Sequence, residues 1–146
     1  MAEYAVLTTN GRTYFSKTSE GWAVYVYRFS IGTGGHNPTT YEPLEITDID
    51  IDDLTTPIEI SPSITKKLIT AVTRPNDNSI AALCKIEEDE ALENKLSEIG
   101  IWANIYDDSQ ILQDEYLIAV VHFPPIYRKG APHTQVTCSW NVIISF

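Results

Sequence analysis

Residues 97–127 constrain the fold of this chain more than any other segment. A short apolar run at 99–102 is followed by a polar loop at 107–110 and by a second apolar run at 116–121. The second run ends at a pair of prolines, which lack the N–H group that a central sheet strand donates. Apolar runs of this length, with turn residues between them, are typical of buried strands. The pattern predicts two strands that are joined by a loop in the middle of a sheet.

Chain length and composition favour one globular domain that spans residues 1–146. The 146 residues are enough to bury a single core without disulfides, and 43% of them are apolar. A composition of this kind disfavours disorder, and no shift in composition divides the chain.

The charge of the chain argues against several classes of partner. Twenty acidic residues against ten basic residues give a net charge of −10, which repels phosphate backbones and anionic lipids. The N-terminal residues lack the basic and apolar segments of a signal peptide, and no apolar run is long enough to span a membrane. We therefore expect a protein made in a cytoplasm, with no nucleic-acid partner and no membrane insertion.

Most of the remaining pattern is of the β type. The first β-prone run ends at Asn10-Gly11, a dipeptide that predicts a hairpin turn. The run at 22–31 carries aromatic and β-branched residues on both faces, which predicts a strand covered on two sides. Residues 64–73 could form a helix or a strand, and their β-branched content favours a strand that pairs with 79–86.

Two segments depart from this pattern. Residues 36–62 are poor in core residues and rich in proline, threonine and aspartate, which predicts an extended surface excursion. Residues 87–96 begin with acidic side chains and carry Lys95 near their end, as the dipole of a short helix prefers. We therefore predict an α+β fold, a predominantly antiparallel β single domain with one short helix at 87–96.

The last strand has the clearest alternation of apolar and polar residues. One face of residues 135–145 is expected to carry Val136, Cys138, Trp140, Val142 and Ile144. A shift of one residue would expose all of these side chains, so we expect the register of this strand to be tightly fixed.

Two groups of residues could bind ligands, and each has a simpler structural explanation. The loop Gly32-Thr33-Gly34-Gly35 follows a strand but lacks a phosphate-binding signature, which favours a tight turn. An acidic group could bind Ca²⁺, but it lacks the glycine and the distal glutamate of an EF-hand and fits a solvated strand face. Its members are Asp48, Asp50, Asp52 and Asp53.

Histidine and cysteine residues show no spacing typical of a metal site or a nucleophile. The three histidines, His36, His122 and His133, are scattered along the chain without a zinc signature. Cys84 and Cys138 lie in strand-like alternation without a CxxC motif, which favours two buried thiols over a disulfide or a metal site. We predict no catalytic residue, no metal site and no cofactor.

Several motifs follow one another along most of the chain. YAVLTTNG at 4–11 precedes FSIGTGG at 29–35, and EIGIW at 98–102 precedes LIAV at 117–120 and PPIYRK at 124–129. In this order and spacing the motifs resemble the N-terminal, baseplate-attachment domain of the tail-collar fibre family of contractile-tailed bacteriophages. The sequence departs from the family pattern at two positions, where Thr33 replaces an acidic residue and Ser97 replaces an arginine.

The resemblance implies a virion structural protein, not an enzyme, that attaches a tail fibre to the phage baseplate. It implies baseplate and tail-fibre proteins as partners, a homo-oligomer in which a trimer is favoured, and assembly in the host cytoplasm. Relatives usually continue into a shaft and a receptor-binding tip, so a chain that ends at Phe146 is expected to consist of the anchoring domain. Two alternatives are a carbohydrate-binding adhesin module and, less favoured, a small hydrolase that uses Glu98 or Asp108.

The partner surface is expected in a loop at 124–132, which prolines stiffen at both ends. Within it Tyr127, Arg128 and Lys129 make a basic and aromatic site, and tyrosine and arginine often anchor interfaces. Glu98 is instead expected to be structural, because it lies between the predicted helix and an apolar run where a carboxylate would accept hydrogen bonds.

Overall fold

The computed structural model describes residues 2–129 and 137–146 and places most of them in β-strands. One α-helix lies between the second and third strands, and a 3₁₀ turn at Lys17–Glu20 follows it. In chain order the elements are β1 (Ala2–Tyr4), β2 (Val6–Leu7), α1 (Thr9–Ser16), β3 (Ala23–Gly32), β4 (Lys66–Leu68), β5 (Ala71–Asn76), β6 (Ser79–Ile86), β7 (Asn94–Tyr106), β8 (Leu112–Arg128) and β9 (Cys138–Ser145). No helix among these residues is long and apolar enough to cross a membrane.

The strands form two sheets that are almost entirely antiparallel. The five-stranded sheet has the order β2-β8-β7-β3-β4, and the four-stranded sheet has the order β1-β9-β6-β5. Among the strands of the described residues, the pairing of β1 with β9 is the only parallel one. The predicted α+β class, mainly antiparallel β in one domain with one short helix, is confirmed.

The hairpin of β7 and β8 is the centre of the larger sheet, as residues 97–127 predict. β7 lies between β8 and β3, and both neighbours run antiparallel to it. One side of this sheet packs against the four-stranded sheet, where Phe123 and Trp140 meet with ring centroids 5.3 Å apart. A shared core of this kind requires each strand to keep its register, because a slip would turn the buried face outward.

The opposite side of the larger sheet, called here the outer face, is covered only in part. Trp102 and Leu117 lie on the outer face, and Leu54 from the long segment between β3 and β4 packs over them. That segment contains no helix and, between residues 36 and 62, only isolated β-bridges. Its apolar residues therefore cover one end of the outer face and leave the other end open.

The helix predicted at 87–96 is wrong. Residues 87–93 form turns and β7 begins at Asn94, while Ala91 and Glu93 have φ angles of 53° and 65° that no α-helix tolerates. Arg128 donates to the carbonyl groups of Glu87 and Glu90, and the Glu90 N–H donates to the Glu87 carbonyl oxygen at 3.1 Å, the i to i+3 pattern of a turn. The acidic run thus forms a turn that a distant arginine holds closed.

The hairpin turn predicted at Asn10-Gly11 is also wrong, because both residues lie in α1. Thr8 caps this helix by accepting a hydrogen bond from the Gly11 N–H at 3.1 Å. A Cβ atom at Gly11 would lie 2.1 Å from the Ile118 carbonyl oxygen, so glycine is needed for the close approach of α1 to β8. The dipeptide serves helix packing here and not chain reversal.

The strand predicted at 64–73 as a partner of 79–86 is confirmed only from Ala71 onward, because Lys66–Leu68 form β4, which pairs with β3 in the larger sheet. β5 and β6 form a hairpin, and β6 pairs with β9 over the whole length of β9. Trp140, Val142 and Ile144 of β9 are buried. Of the residues between them, Asn141 is exposed and Ile143 is partly buried. His133, Gln135 and Val136 lie outside the described residues.

Candidate functional site

The predicted partner residues lie at the end of β8 and not in a loop. Pro124 and Pro125 are within the strand, which continues to Arg128, so the predicted loop is wrong for this part of residues 124–132. Residues 130–132 lie outside the described part of the chain. Tyr127 is half exposed and Lys129 is exposed, and both can contact another molecule.

Arg128 cannot serve as a surface anchor, because its side chain is only 1% exposed. Its Nε donates to the Glu90 carbonyl oxygen at 2.9 Å, and its Nη2 donates to the Glu87 carbonyl oxygen at 2.6 Å. Its Nη1 also lies 3.2 Å from the Cys138 Sγ atom. The prediction that Arg128 contacts a partner is wrong, since the guanidinium group joins the turn before β7 to β8 and β9.

Tyr127 contributes to a surface cleft of about 280 Å³ at this end of the sheet. In the register of the sheet Tyr127 lies opposite Lys95, and the cleft is completed by Pro125 and Tyr41. The Tyr127 hydroxyl donates to the Glu93 Oε2 atom at 3.1 Å, and this hydrogen bond raises the pKa of Tyr127. The Lys95 Nζ atom lies 4.8 Å from the centre of the Tyr41 ring, a cation–π geometry.

The turn before β4 fixes the position of Tyr41. The Tyr41 N–H donates to the Asn37 carbonyl oxygen at 2.8 Å, and the Asn37 side chain accepts from two further backbone N–H groups. Tyr41 has a φ angle of 59°, which is unfavourable for a bulky residue and persists only where its surroundings enforce it. The exposed Tyr41 ring is therefore held beside Lys95 by the backbone of its own turn.

A buried polar group lies around Glu98, which is 1% exposed. The Glu98 Oε1 atom accepts from the Thr56 N–H at 3.2 Å, and Oε2 lies 3.7 Å from the His122 Nε2 atom. The His122 Nδ1 atom is 2.8 Å from the Leu44 carbonyl oxygen, so Nδ1 carries the hydrogen. A Cβ atom at Gly32 would lie 2.2 Å from Glu98 Oε1, which explains the glycine opposite this carboxylate.

The group around Glu98 connects segments that are distant in the sequence. Ser97 donates to the Gly34 carbonyl oxygen, so its oxygen accepts the hydrogen bond from His36 Nδ1 at 2.9 Å. A pocket of about 260 Å³ adjoins Glu98 and His122. Asp108 lies in the loop at the other end of β7, so the two carboxylates considered for hydrolysis are not brought together.

Two of the four aspartates in the acidic group of the long segment accept hydrogen bonds from backbone N–H groups. Asp48 accepts from the Asp50 N–H at 3.1 Å, and Asp53 accepts from the Leu54 N–H at 2.7 Å. Asp52 accepts from the Asn10 side chain at 3.4 Å. Across residues 2–129 and 137–146, no three histidine, cysteine or acidic side chains are grouped as metal ligands.

The sequence singled out Tyr127 as a candidate partner residue but not Tyr41 and Lys95, which line the same cleft. The Asn37-Pro38 dipeptide marks a turn, but no local signal indicates that the turn lies against the start of β7. Comparison of the chain with protein-family models, with curated proteins and with solved structures finds no match.

Proposed function

We propose that this protein is a structural component of a contractile phage tail that attaches a tail fibre to the baseplate. The observation that carries the proposal is the order of motifs that resembles the tail-collar fibre family. Two of these motifs meet in space, because Gly32 in β3 is the register partner of Glu98 in β7. Glycine at 32 leaves the room that the Glu98 carboxylate occupies. Because Glu98 requires a glycine at position 32, the motifs that contain these two residues depend on each other, which supports the view that they were inherited together.

The chemistry of the described residues is consistent with a structural role. The Glu98 carboxylate accepts a backbone hydrogen bond and lies beside His122, in positions that hold the long segment against the sheet. We assign the partner surface to the cleft of Tyr127, Tyr41, Lys95 and Pro125 together with the exposed Lys129. A partly rigid aromatic surface of this kind loses little side-chain entropy when it binds a partner.

Binding to tail proteins tests this proposal. The tagged chain is co-expressed with the proteins whose reading frames adjoin its own, and complexes are captured through the tag. A variant with Tyr127→Glu and Lys129→Glu is expected to fold normally and to lose the captured baseplate or fibre protein. The matched control carries Tyr4→Glu and Arg12→Glu, which change one exposed tyrosine and one exposed cation elsewhere and should retain it.

Two results would count against the proposal in different ways. Capture of no tail protein by the parent chain contradicts the function itself. Capture by the Tyr127/Lys129 variant at the level of the parent chain shows that the partner surface lies elsewhere.

Carbohydrate binding is a second candidate function, and the same cleft favours it. Tyr41 and Tyr127 are both about half exposed, and exposed aromatic rings beside polar groups are a common means of binding sugars. A glycan array probed with the parent chain and with Tyr41→Ala tests this candidate. Binding that the substitution abolishes would favour an adhesin, and an array without binding would eliminate it.

A further inference from the structure

One stretch of backbone at the edge of β3 lacks a partner strand. β3 pairs with β7 from Ala23 to Gly32, but β4 pairs with β3 only from Arg28 to Ser30. Beyond β4, the Ile69 N–H donates to the Tyr27 carbonyl oxygen at 3.0 Å. Within the described residues, no strand pairs with residues 23–26 on the side away from β7.

This open edge differs from the other sheet edges, which carry features that prevent association. β5 contains Arg74 and Pro75, and β4 contains two lysines. β1 is three residues long and contains Glu3, and β2 is only two residues long. Short length, charge and proline are the usual protections of an edge strand. Residues 23–26, with the sequence AVYV, have neither charge nor proline and favour β structure.

Apolar side chains surround the open edge on the uncovered end of the outer face. Tyr25 is 60% exposed and Tyr27 is 38% exposed, with their ring centroids 6.1 Å apart. Leu68 of β4, opposite Arg28, is more than half exposed, and Leu112, also more than half exposed, lies two strands away in β8, opposite Tyr106. An apolar surface beside an open strand edge indicates an interaction site for another strand.

We propose that residues 23–26 pair antiparallel with the same residues of a second copy of this chain, across a two-fold axis. An uncharged edge allows two chains of net charge −10 to approach without placing like charges opposite each other. The available edge ends at β4 on one side. On the other side, Gly21 has a φ angle of +88° and turns the chain before β3 begins. A short edge bounded in this way fits a strand of equal length, which a two-fold axis supplies.

The proposal does not depend on the phage-tail function and differs from the trimer that the resemblance implies. Light scattering tests the proposed dimer by measuring the molar mass of the full chain. The measurement extends to a concentration of about 100 µM, because a short interface is weak. The parent chain is expected to be a dimer at the highest concentration. Tyr25→Lys places a lysine from each copy at the interface and is expected to weaken the dimer at least about tenfold.

Tyr4→Lys is the matched control. Tyr4 is a tyrosine on an edge strand of the other sheet and is 73% exposed, so the substitution makes the same charge change at a distant edge. This variant is expected to remain dimeric. A monomeric parent, a trimeric parent, or a dimer that Tyr25→Lys does not weaken would overturn the proposal.

Amide hydrogen exchange of the parent chain gives a second test that requires no substitution. The amides of residues 23–26 are expected to exchange more slowly as the concentration rises, because pairing protects part of this edge. Protection that does not change with concentration would overturn the proposal, even if Tyr25→Lys failed to fold.

Discussion

Arg128 illustrates how the role of a single residue depends on where its side chain is buried. In the sequence it stands between a tyrosine and a lysine and has the composition of an interface site. In the structure alternation along β8 turns Arg128 inward, between two residues that face solvent. The burial of Arg128 therefore follows from the position of β8 in the sheet, which the local sequence motif does not reveal.

Replacing Arg128 by methionine is expected to destabilise the protein by about 2–4 kcal/mol. The carbonyl groups of Glu87 and Glu90 would lose the hydrogen bonds from the guanidinium group, while Glu87 would keep the one from the Glu90 N–H. Urea unfolding measures the change, and Lys129→Met is the control because Lys129 is exposed. Equal stability of the two variants would contradict the structural role of the buried guanidinium group.

Glu98 is predicted from the sequence to accept hydrogen bonds in a structural role, and the structure shows it buried with a hydrogen bond from the Thr56 N–H. Glu98→Gln is expected to lower the free energy of unfolding by about 1–3 kcal/mol, since the amide weakens the contacts with Thr56 and His122. Thermal unfolding at neutral pH measures this effect. A variant that melts like the parent chain but loses an enzymatic turnover of the parent would instead make Glu98 catalytic.

At the scale of elements, strands were predicted better than the helix. The strands of the β5–β6 hairpin and of residues 97–127 could be predicted because their apolar runs and turns are local signals. The helix predicted at 87–96 failed because Leu96 is buried in β7 and the preceding acidic turn is held by Arg128 and Lys67, which are distant in sequence. Tertiary contacts overrode the local charge pattern in this segment.

The cleft could be predicted only in part for the same reason. Tyr127 belongs to a run of motifs that is visible in the sequence, whereas Tyr41 reaches the cleft through a turn in the long segment before β4. Lys95 was assigned to a helix end and lies in β7, opposite Tyr127. Pairing between strands, which local propensity does not specify, brings these residues together.

An ion-pair group on the outer face links β3, β4 and β8. Glu115 accepts two hydrogen bonds from Arg28, at 2.5 and 2.9 Å, and one from Lys66 at 3.0 Å. Burial alone raises the pKa of the Glu115 carboxyl, but the hydrogen bonds from Arg28 and Lys66 outweigh it and lower the pKa below 4.5. The group therefore stabilises the fold above pH 4.5 and ceases to do so as the pH falls through the lowered pKa.

Glu115→Gln is expected to reduce stability at neutral pH and to make stability less dependent on pH in the acid range. The melting temperature of the parent chain should fall more steeply than that of the variant between about pH 6 and about pH 3. Glu88→Gln removes an exposed carboxylate and should follow the parent. Parallel melting curves for parent and Glu115→Gln across this range would contradict the assigned shift.

At the scale of the whole molecule, two surfaces are proposed for association and they lie at opposite ends of β7. The cleft with Tyr127 lies near the start of β7, beside Lys95, whereas the open edge of β3 faces the end of β7, where Ala23 pairs with Tyr106. Because the surfaces are separate, the chain could contact another copy and a tail partner together. Substitutions in one surface are therefore expected to leave the other unaffected.

The most direct test of the tail function is the protein content of purified phage particles. Particles are separated on a density gradient, and this chain is quantified by mass spectrometry against a known tail protein. We expect the chain to sediment with intact particles and with isolated tails at a constant ratio to the tail protein. A chain that is abundant in the infected cell but absent from particles and tails would contradict the proposed function.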